Sequence, residues 1–409
     1  MKSNGLVMSI DKILHSINLD QKFLIGLLIR WANINSHTFN PRGLTLLRRE
    51  LVNAFDDLGG KTRAVRTKPY ETLSDQGEMV STPLGEMLTI VKRPRAPLQI
   101  LCVSHMDTVY PAESLFQTTA PVSSGILKGP GVADAKGGIA VMLLALRALE
   151  KSDLRRYFGW RVVINADEEI GSPGSSPFLK RYAEKADLGI VFEPALPDGS
   201  LVSARKGSGN FSLVIHGVAA HAGRAFYQGK NAIEAAAGAV TKLAQLSGKR
   251  NGLTVNTGRI SGGGALNIVP DLAIVRFNMR IKTAADERFA RKQMADLLKH
   301  LNRKKGIRAV IRGSFGAYPK IPSRKEKGIY RDLGLCARAL GQKIRFKPSG
   351  GVCDSNRLAA KALPIIDGAG VCGGDIHSPR EFMYIDSLAA RSKLVTLYLA
   401  RLLKGEFTL

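Results

Sequence analysis

Two histidines and a set of carboxylates stand where apolar runs of this chain end. Pro97–Val103 is followed by Ser-His105-Met-Asp107, Trp160–Ala166 by Asp167-Glu168-Glu169, and Leu188–Phe192 by Glu193. Leu363–Ile366 leads through a glycine-rich loop to His377, and Asp134 sits in Gly-Pro-Gly-Val-Ala-Asp-Ala-Lys-Gly-Gly. Imidazole nitrogens beside several carboxylate oxygens suit zinc, cobalt or manganese rather than calcium. Each piece has a plainer reading. His-x-Asp after a strand is often a hydrogen-bonded turn, Asp134 could cap a helix, and Asp167–Glu169 could be negative charge at a helix N-terminus. Their shared position at strand ends outweighs these, because open α/β sheets bind ligands outside the carboxyl ends of their strands.

The elements that must position these residues follow from hydrophobic spacing. Leu19–Trp31 and Asn40–Leu58 read as helices, the second stopped by Gly59-Gly60. The apolar runs above read as strands; Gly137–Leu149, Pro177–Ala186 and Ser387–Leu403 read as helices. Strand-helix alternation predicts a parallel sheet covered on both faces. The middle has another rhythm: strand Asn210–His216, helix Lys230–Ser247, strands Leu253–Ile260 and Leu272–Ile281, helix Asp286–Arg303, strand Ile307–Phe315. That βαββαβ order is ferredoxin-like. Lys206-Gly207 and Pro319–Pro322 bound it, which predicts an insert at 207–318 in a domain made of 1–206 and 319–409.

Composition narrows the function classes. The 409 residues are 44% hydrophobic, so a disordered chain is excluded. The net charge of +26 admits acidic partners: nucleic acid, an anionic surface or an acidic small substrate. The insert carries 18 Lys and Arg against 5 Asp and Glu. Its densest run, Asn302–Lys305, and Arg324–Lys327 beyond it lack the interleaved aromatics of a nucleic-acid surface, so they read as solvated helix and loop. The longest apolar runs, Phe23–Ile29 and Ile139–Leu146, are too short to span a bilayer. Met1–Asp20 lacks the apolar block of a secretory signal. Cys102, Cys336, Cys353 and Cys372 are scattered with no CxxC pair, so a reducing cytoplasm is expected.

Taken together, SHMDTVYP, GPGVADAKGGIAVML, NADEEIGSPGS, FEP, AAHAGRA, LNIVPD and the His377 segment resemble the M20 metallopeptidases, in order, from about Leu27 to Leu403. NADEEIGSPGS and the run Arg205–Ser208 fit the carboxypeptidase G2-like branch. The resemblance implies an α/β fold: a zinc-peptidase-like catalytic domain on a mostly parallel sheet, plus an inserted ferredoxin-like α+β lid that dimerises. It implies two Zn²⁺ per chain, with Co²⁺ or Mn²⁺ as substitutes. His105, Asp134, Glu169, Glu193 and His377 match the ligands, with Asp134 bridging. Glu168 matches the general base and Asp107 the acid supporting His105. His221 matches the lid histidine; Asn267 and Arg280 match lid residues that meet the substrate carboxylate and reacting oxygen. Ala135 follows Asp134 where relatives often have another acid or Met, and the family often has a cis peptide there. Cys353 stands where they often carry Ser or Thr.

The implied function is hydrolysis of an amide or peptide bond next to a free carboxylate, as a carboxypeptidase or N-acyl amino acid deacylase. The substrate is a small peptide or N-acyl amino acid, and the assembly a homodimer through the insert. The rival is a basic nucleic-acid- or surface-binding protein on an inactive hydrolase fold. Its support is charge alone.

Overall fold

The computed structural model describes residues 10–123 and 125–409. Of the Met1–Asp20 segment read above, residues 1–9 lie outside the described residues. Six strands form the central sheet, in the order Lys61–Val65, Met87–Lys92, Phe158–Asn165, Leu98–His105, Leu188–Val191, Ile365–Asp367. Met87–Lys92 is antiparallel to both its neighbours; the last four strands run parallel.

Side chains in a strand alternate between faces. Ile100 and Cys102 therefore join the core under helices Ile10–Ala32, Pro41–Phe55, Lys136–Glu150 and Ile385–Leu403. Leu101 and Val103 pack on the other side, against Leu179 and Ala183 of Ser176–Ala183 and Leu358 of Ser355–Ala359. Burial on both faces explains why these strands read as unbroken apolar runs. It also places the carboxyl ends of the parallel strands, with His105 and Glu193, on one edge.

Local sequence accounts for most element boundaries. Helix Ile10–Ala32 includes residues before Leu19, because Ile13 and Ile17 continue the buried stripe of Leu24, Leu27, Leu28 and Trp31. Pro41–Phe55 is followed by one 3₁₀ turn, Asp56–Leu58, and then by Gly59 in the left-handed region. Arg324–Lys327 opens a helix, Arg324–Ala339, absent from the expectations. Its Ser323 and Glu326 form a capping box. Among the described residues no helix is long and apolar enough to cross a membrane.

A second sheet is wholly antiparallel, in the order Thr254–Gly262, Leu272–Ile281, Gly207–His216, Arg308–Ala317. Helices Ala232–Ala244 and Ala284–Asn302 cover one face through a separate apolar core that includes Leu213, Ile215, Val275, Ala239 and Met294. The opposite face presents Asn210, Asn278, Arg280 and Ser314 to a cleft. The chain enters and leaves this sheet side by side. The Arg205 and Lys320 backbones exchange two hydrogen bonds of 3.0 Å, and the Asn356 side-chain amide donates to the carbonyls of Lys206 and Tyr318.

One close approach sets the distance between helix Lys136–Glu150 and strand Leu188–Val191. A Cβ on Gly138 would lie 1.8 Å from the Phe192 carbonyl oxygen, so only glycine lets the backbones touch. Asp134 precedes that helix and Glu193 follows that strand. Gly138→Ala should lower unfolding free energy by at least about 1–3 kcal/mol in urea denaturation. Gly328→Ala, at a helical position with nothing within 4 Å of its Cβ site, should be neutral or stabilising by up to about 1 kcal/mol.

Candidate metal centre

Asp134 lies at the middle of the site. Its Oδ1 is 3.1 Å from His105 Nε2, and its Oδ2 is 3.3 Å from His377 Nε2. Glu193 Oε1 is 3.7 Å from the same His105 nitrogen, and Glu169 Oε2 is 3.1 Å from the same His377 nitrogen. Two groups of three result, His105–Asp134–Glu193 and Asp134–Glu169–His377, with Asp134 common to both. All five residues proposed from the sequence as ligands thus converge. The Asp134–Ala135 peptide is cis.

Each donor is held from behind. His105 is buried at the end of its strand, with Nδ1 3.0 Å from the Asp107 carbonyl oxygen and 3.4 Å from the Asp107 carboxylate. The nearer contact is therefore with the backbone of Asp107 rather than its side chain. That carboxylate accepts the Thr38 hydroxyl at 2.8 Å and the backbone N–H groups of Glu168 and Glu169 at 3.2 and 3.1 Å. It thereby fixes the turn that presents both glutamates. His377 stands at the cleft mouth with φ of 60°, and Asp375 with φ of 52°. These left-handed conformations are unfavourable for side chains other than glycine and aim the ring at Asp134 and Glu169.

Charge balance shows that the residues fit a pair of cations. Among the described residues, Asp134, Glu168, Glu169 and Glu193 have no Lys or Arg nitrogen within 4 Å. Burial, then the Glu193 charge, pushes the Glu168 carboxyl well above the usual range. Burial raises Glu193 to about 8 and Glu169 to about 7. Burial alone would depress His105, but hydrogen bonds to Asp107 and Asp134 lift it well above its ordinary value. Hydrogen bonds to Asp134 and Glu169 take His377 to about 10. So much negative charge in a secluded place requires protons or cations, and two imidazoles among carboxylates are transition-metal donors.

A cleft of about 670 Å³ opens over these residues. Glu168 lines it beside Glu169, and Arg280 reaches it from the second sheet. Arg280 Nε donates to Asn278 Oδ1 at 3.0 Å, while its buried Nη1 has no partner among the described residues. His221 and Asn267 are not brought in. Both are exposed and outside the cleft lining, and their segments pair with each other through Ala222 N–H and the Asn267 carbonyl at 2.9 Å. His221 Nδ1 accepts the N–H groups of Gly223 and Arg224 at 3.1 and 3.2 Å. The ring proton is therefore on Nε2, facing outward as a donor.

A family model described as peptidase family M20/M25/M40 matches residues 101–401. The chain belongs to this family. Carboxypeptidase G2 of Pseudomonas sp. (strain RS-16) is 28% identical over 398 residues, covering 93% of this chain and 90% of the relative. The M20 metallo-carboxypeptidase Sso-CP2 of Sulfolobus solfataricus superposes with a TM-score of 0.72 at 17% identity, covering 92% of this chain and 98% of that one. The Bacillus subtilis YXEP protein, described as a dinuclear metal binding peptidase, gives 0.61 at 15% identity, covering 95% and 99%. The M20 membership makes this chain a metal-dependent hydrolase of peptide or amide bonds on the expected α/β fold.

Two residues at the site were not among those singled out from the sequence. Asn278 orients Arg280. Glu381 accepts the backbone N–H groups of Gly131, Ala133 and Asp134 at 3.0, 2.9 and 3.0 Å, and the Tyr110 hydroxyl at 2.7 Å. It clamps the loop that carries Asp134. The one available signal was an acid four residues after His377 in a Ser-Pro-Arg-Glu turn, which looks like any surface acid. Glu381→Gln places an amide N–H against donors. Zinc affinity, measured by competition with a chromophoric chelator, should fall about 10–100-fold in a protein that still folds.

Proposed function

We propose that this M20 hydrolase is a zinc enzyme that cleaves an amide or peptide bond next to a free carboxylate, as a carboxypeptidase or an N-acyl amino acid deacylase. The observation that carries this reading is Arg280, which lines the same cleft as the two three-residue groups. A guanidinium fork suits a substrate carboxylate. The carboxypeptidase among the relatives agrees with it. No observation favours the basic-binder reading.

In this mechanism His105, Asp134 and Glu193 would hold one metal, and Asp134, Glu169 and His377 the other. Zinc bound there would supply Lewis acidity that lowers a water's pKa toward neutrality. Glu168 is next to Glu169 but belongs to neither group of three, so its carboxylate is free to take the attacking water's proton and hand it to the leaving amine. Arg280 fixes the free carboxylate and so the position of the scissile bond. His221 donates its Nε2 proton to the developing oxyanion, with Asn267 beside it.

Because His221 and Asn267 lie outside the cleft of their own chain, we take them to serve a partner's cleft in a homodimer. Val218, Phe226, Tyr227, Leu266 and Ile268 are exposed around them, and Tyr227 is 90% accessible. An apolar patch of this kind suits an interface. Residues 207–318 then form the lid and dimerisation unit, and 1–206 with 319–409 the catalytic unit. The separate apolar core of the second sheet supports this division. Four free cysteines agree with a cytoplasmic setting.

Glu168→Gln should retain two zinc ions per chain by elemental analysis and lose at least about 10²-fold in kcat on N-acyl amino acids. Glu169→Gln should lose metal as well. Full activity in both variants, with two metals bound, would refute these roles. His221→Ala should cut kcat about 10²–10³-fold with zinc unchanged. Mixed with Glu168→Gln chains, it should recover activity, because each heterodimer then contains one intact composite site. Demonstrated heterodimers without recovery would refute the shared site.

A further inference from the structure

The polar face of the second sheet is ordered row by row. Asn256, Asn278, Asn210 and Ser314 stand opposite one another across its four strands. Residues directly opposite share a face, and Asn278, Asn210 and Ser314 line the wall of the cleft. The same three, with Tyr70 and Ile170, also line a second cavity of about 760 Å³, which Asn256 borders. The cleft over the metal centre therefore continues along this row.

A chain of hydrogen bonds gives the row a direction. Arg280 Nε donates to Asn278 Oδ1 at 3.0 Å, so the other end of that amide is its nitrogen. Asn278 Nδ2 donates in turn to Ser208 Oγ at 2.9 Å, the Gly209 carbonyl at 3.1 Å and Asn210 Oδ1 at 2.6 Å. Both ends of Asn278 are thus occupied. Asn210 is exposed, its oxygen is taken, and its Nδ2 donates to no group among the described residues. What Asn210 offers the cleft is a donor of fixed orientation. It carries no charge, so a neutral acceptor such as a carbonyl oxygen suits it.

Spacing indicates which carbonyl. Arg280 pairs with Ser208, two residues before Asn210 on the neighbouring strand. Two residues along a strand and one strand across separate the Arg280 and Asn210 backbones by roughly 8 Å, a little over two residues of extended peptide. With a terminal carboxylate at Arg280, the scissile carbonyl comes one residue back and the next carbonyl two residues back.

We infer that Asn210 is a specificity-determining residue whose Nδ2 donates to the carbonyl oxygen of the peptide unit preceding the scissile bond. The inference rests on the hydrolase reading above, with Arg280 at the free carboxylate, and within it selects peptides over N-acyl amino acids. A simple N-acyl amino acid has no second carbonyl to offer. Water serves Asn210 in the free protein, so the exchange contributes modestly, as neutral hydrogen bonds do.

Zinc-loaded wild type, Asn210→Ala and Asn210→Asp are compared on N-acetyl-alanyl-leucine and N-pentanoyl-leucine. The two acyl chains have the same length, and only the first holds a second amide. Both compounds present one free carboxylate, so a disturbance of Arg280 cancels in their ratio. Asn210→Ala removes the amide, while Asn210→Asp keeps the acceptor for Asn278 and loses the donor. The wild type should favour N-acetyl-alanyl-leucine in kcat/KM, and both variants should lower that ratio about 3–10-fold. A wild type that does not favour the peptide, or a ratio unchanged in either variant, would overturn the inference. If neither compound is hydrolysed, the hydrolase reading fails separately, and calorimetric titration with the same two compounds decides Asn210. N-acetyl-alanyl-leucine should then bind the wild type more tightly and lose that advantage in both variants. No binding, equal affinities in the wild type, or an advantage kept in the variants would overturn it. A variant that does not fold leaves the comparison to the other.

Discussion

Asp134 offers one oxygen to each of two histidines, at 3.1 and 3.3 Å, and the rest of the site is arranged to permit this. A carboxylate can bridge only if its backbone is held on both sides. Glu381 takes three N–H groups of the Asp134 loop, and Gly138 brings the following helix against the Phe192 backbone. The same close approach sets Glu193 beside His105. Asp107 performs the matching task for the opposite wall, because its carboxylate holds the N–H groups of Glu168 and Glu169. Glu381 and Asp107 are thus buried acids whose oxygens serve mainly to pin backbone.

Electrostatics divides the cleft into functional regions. The metal-facing wall concentrates carboxylates without Lys or Arg partners, so it demands cations. The wall from the second sheet places Arg280 at the cleft, the cation that the proposed reading gives to a substrate carboxylate. The lining of this cleft comes from both sheets, and the chains that connect them run side by side at Arg205 and Lys320, pinned by Asn356. Asn356 adjoins Arg357, a lining residue of the cleft, so the cleft lies next to the point where the two sheets join. Movement of one sheet against the other would alter both together.

Much of this was legible in the sequence, for physical reasons. Strands buried on both faces give unbroken apolar runs, and the residues just past their carboxyl ends are the ones delivered to the edge. His105, Asp167–Glu169 and Glu193 were readable on that rule. The Leu272–Ile281 strand, half-buried, alternates clearly enough to be bounded correctly. What escaped depends on tertiary contacts that carry no local period. Glu381 is a turn acid in sequence; only its partners distinguish it. The first turns of Ile10–Ala32 were hidden by Asp11, Lys12, His15 and Asn18 on its open side, and Arg324–Ala339 by its charged start. Asp107 was read as support for the His105 ring, yet its carboxylate serves the Glu168–Glu169 turn more directly, which spacing alone does not reveal.

The central claim is a pair of metals that share Asp134. Anomalous diffraction at the zinc edge, from crystals of zinc-loaded protein, tests it most directly. The account predicts two peaks about 3.5–4 Å apart, with Asp134 between them, one near His105 and Glu193 and the other near His377 and Glu169. A single peak, or two peaks that Asp134 does not bridge, would contradict it.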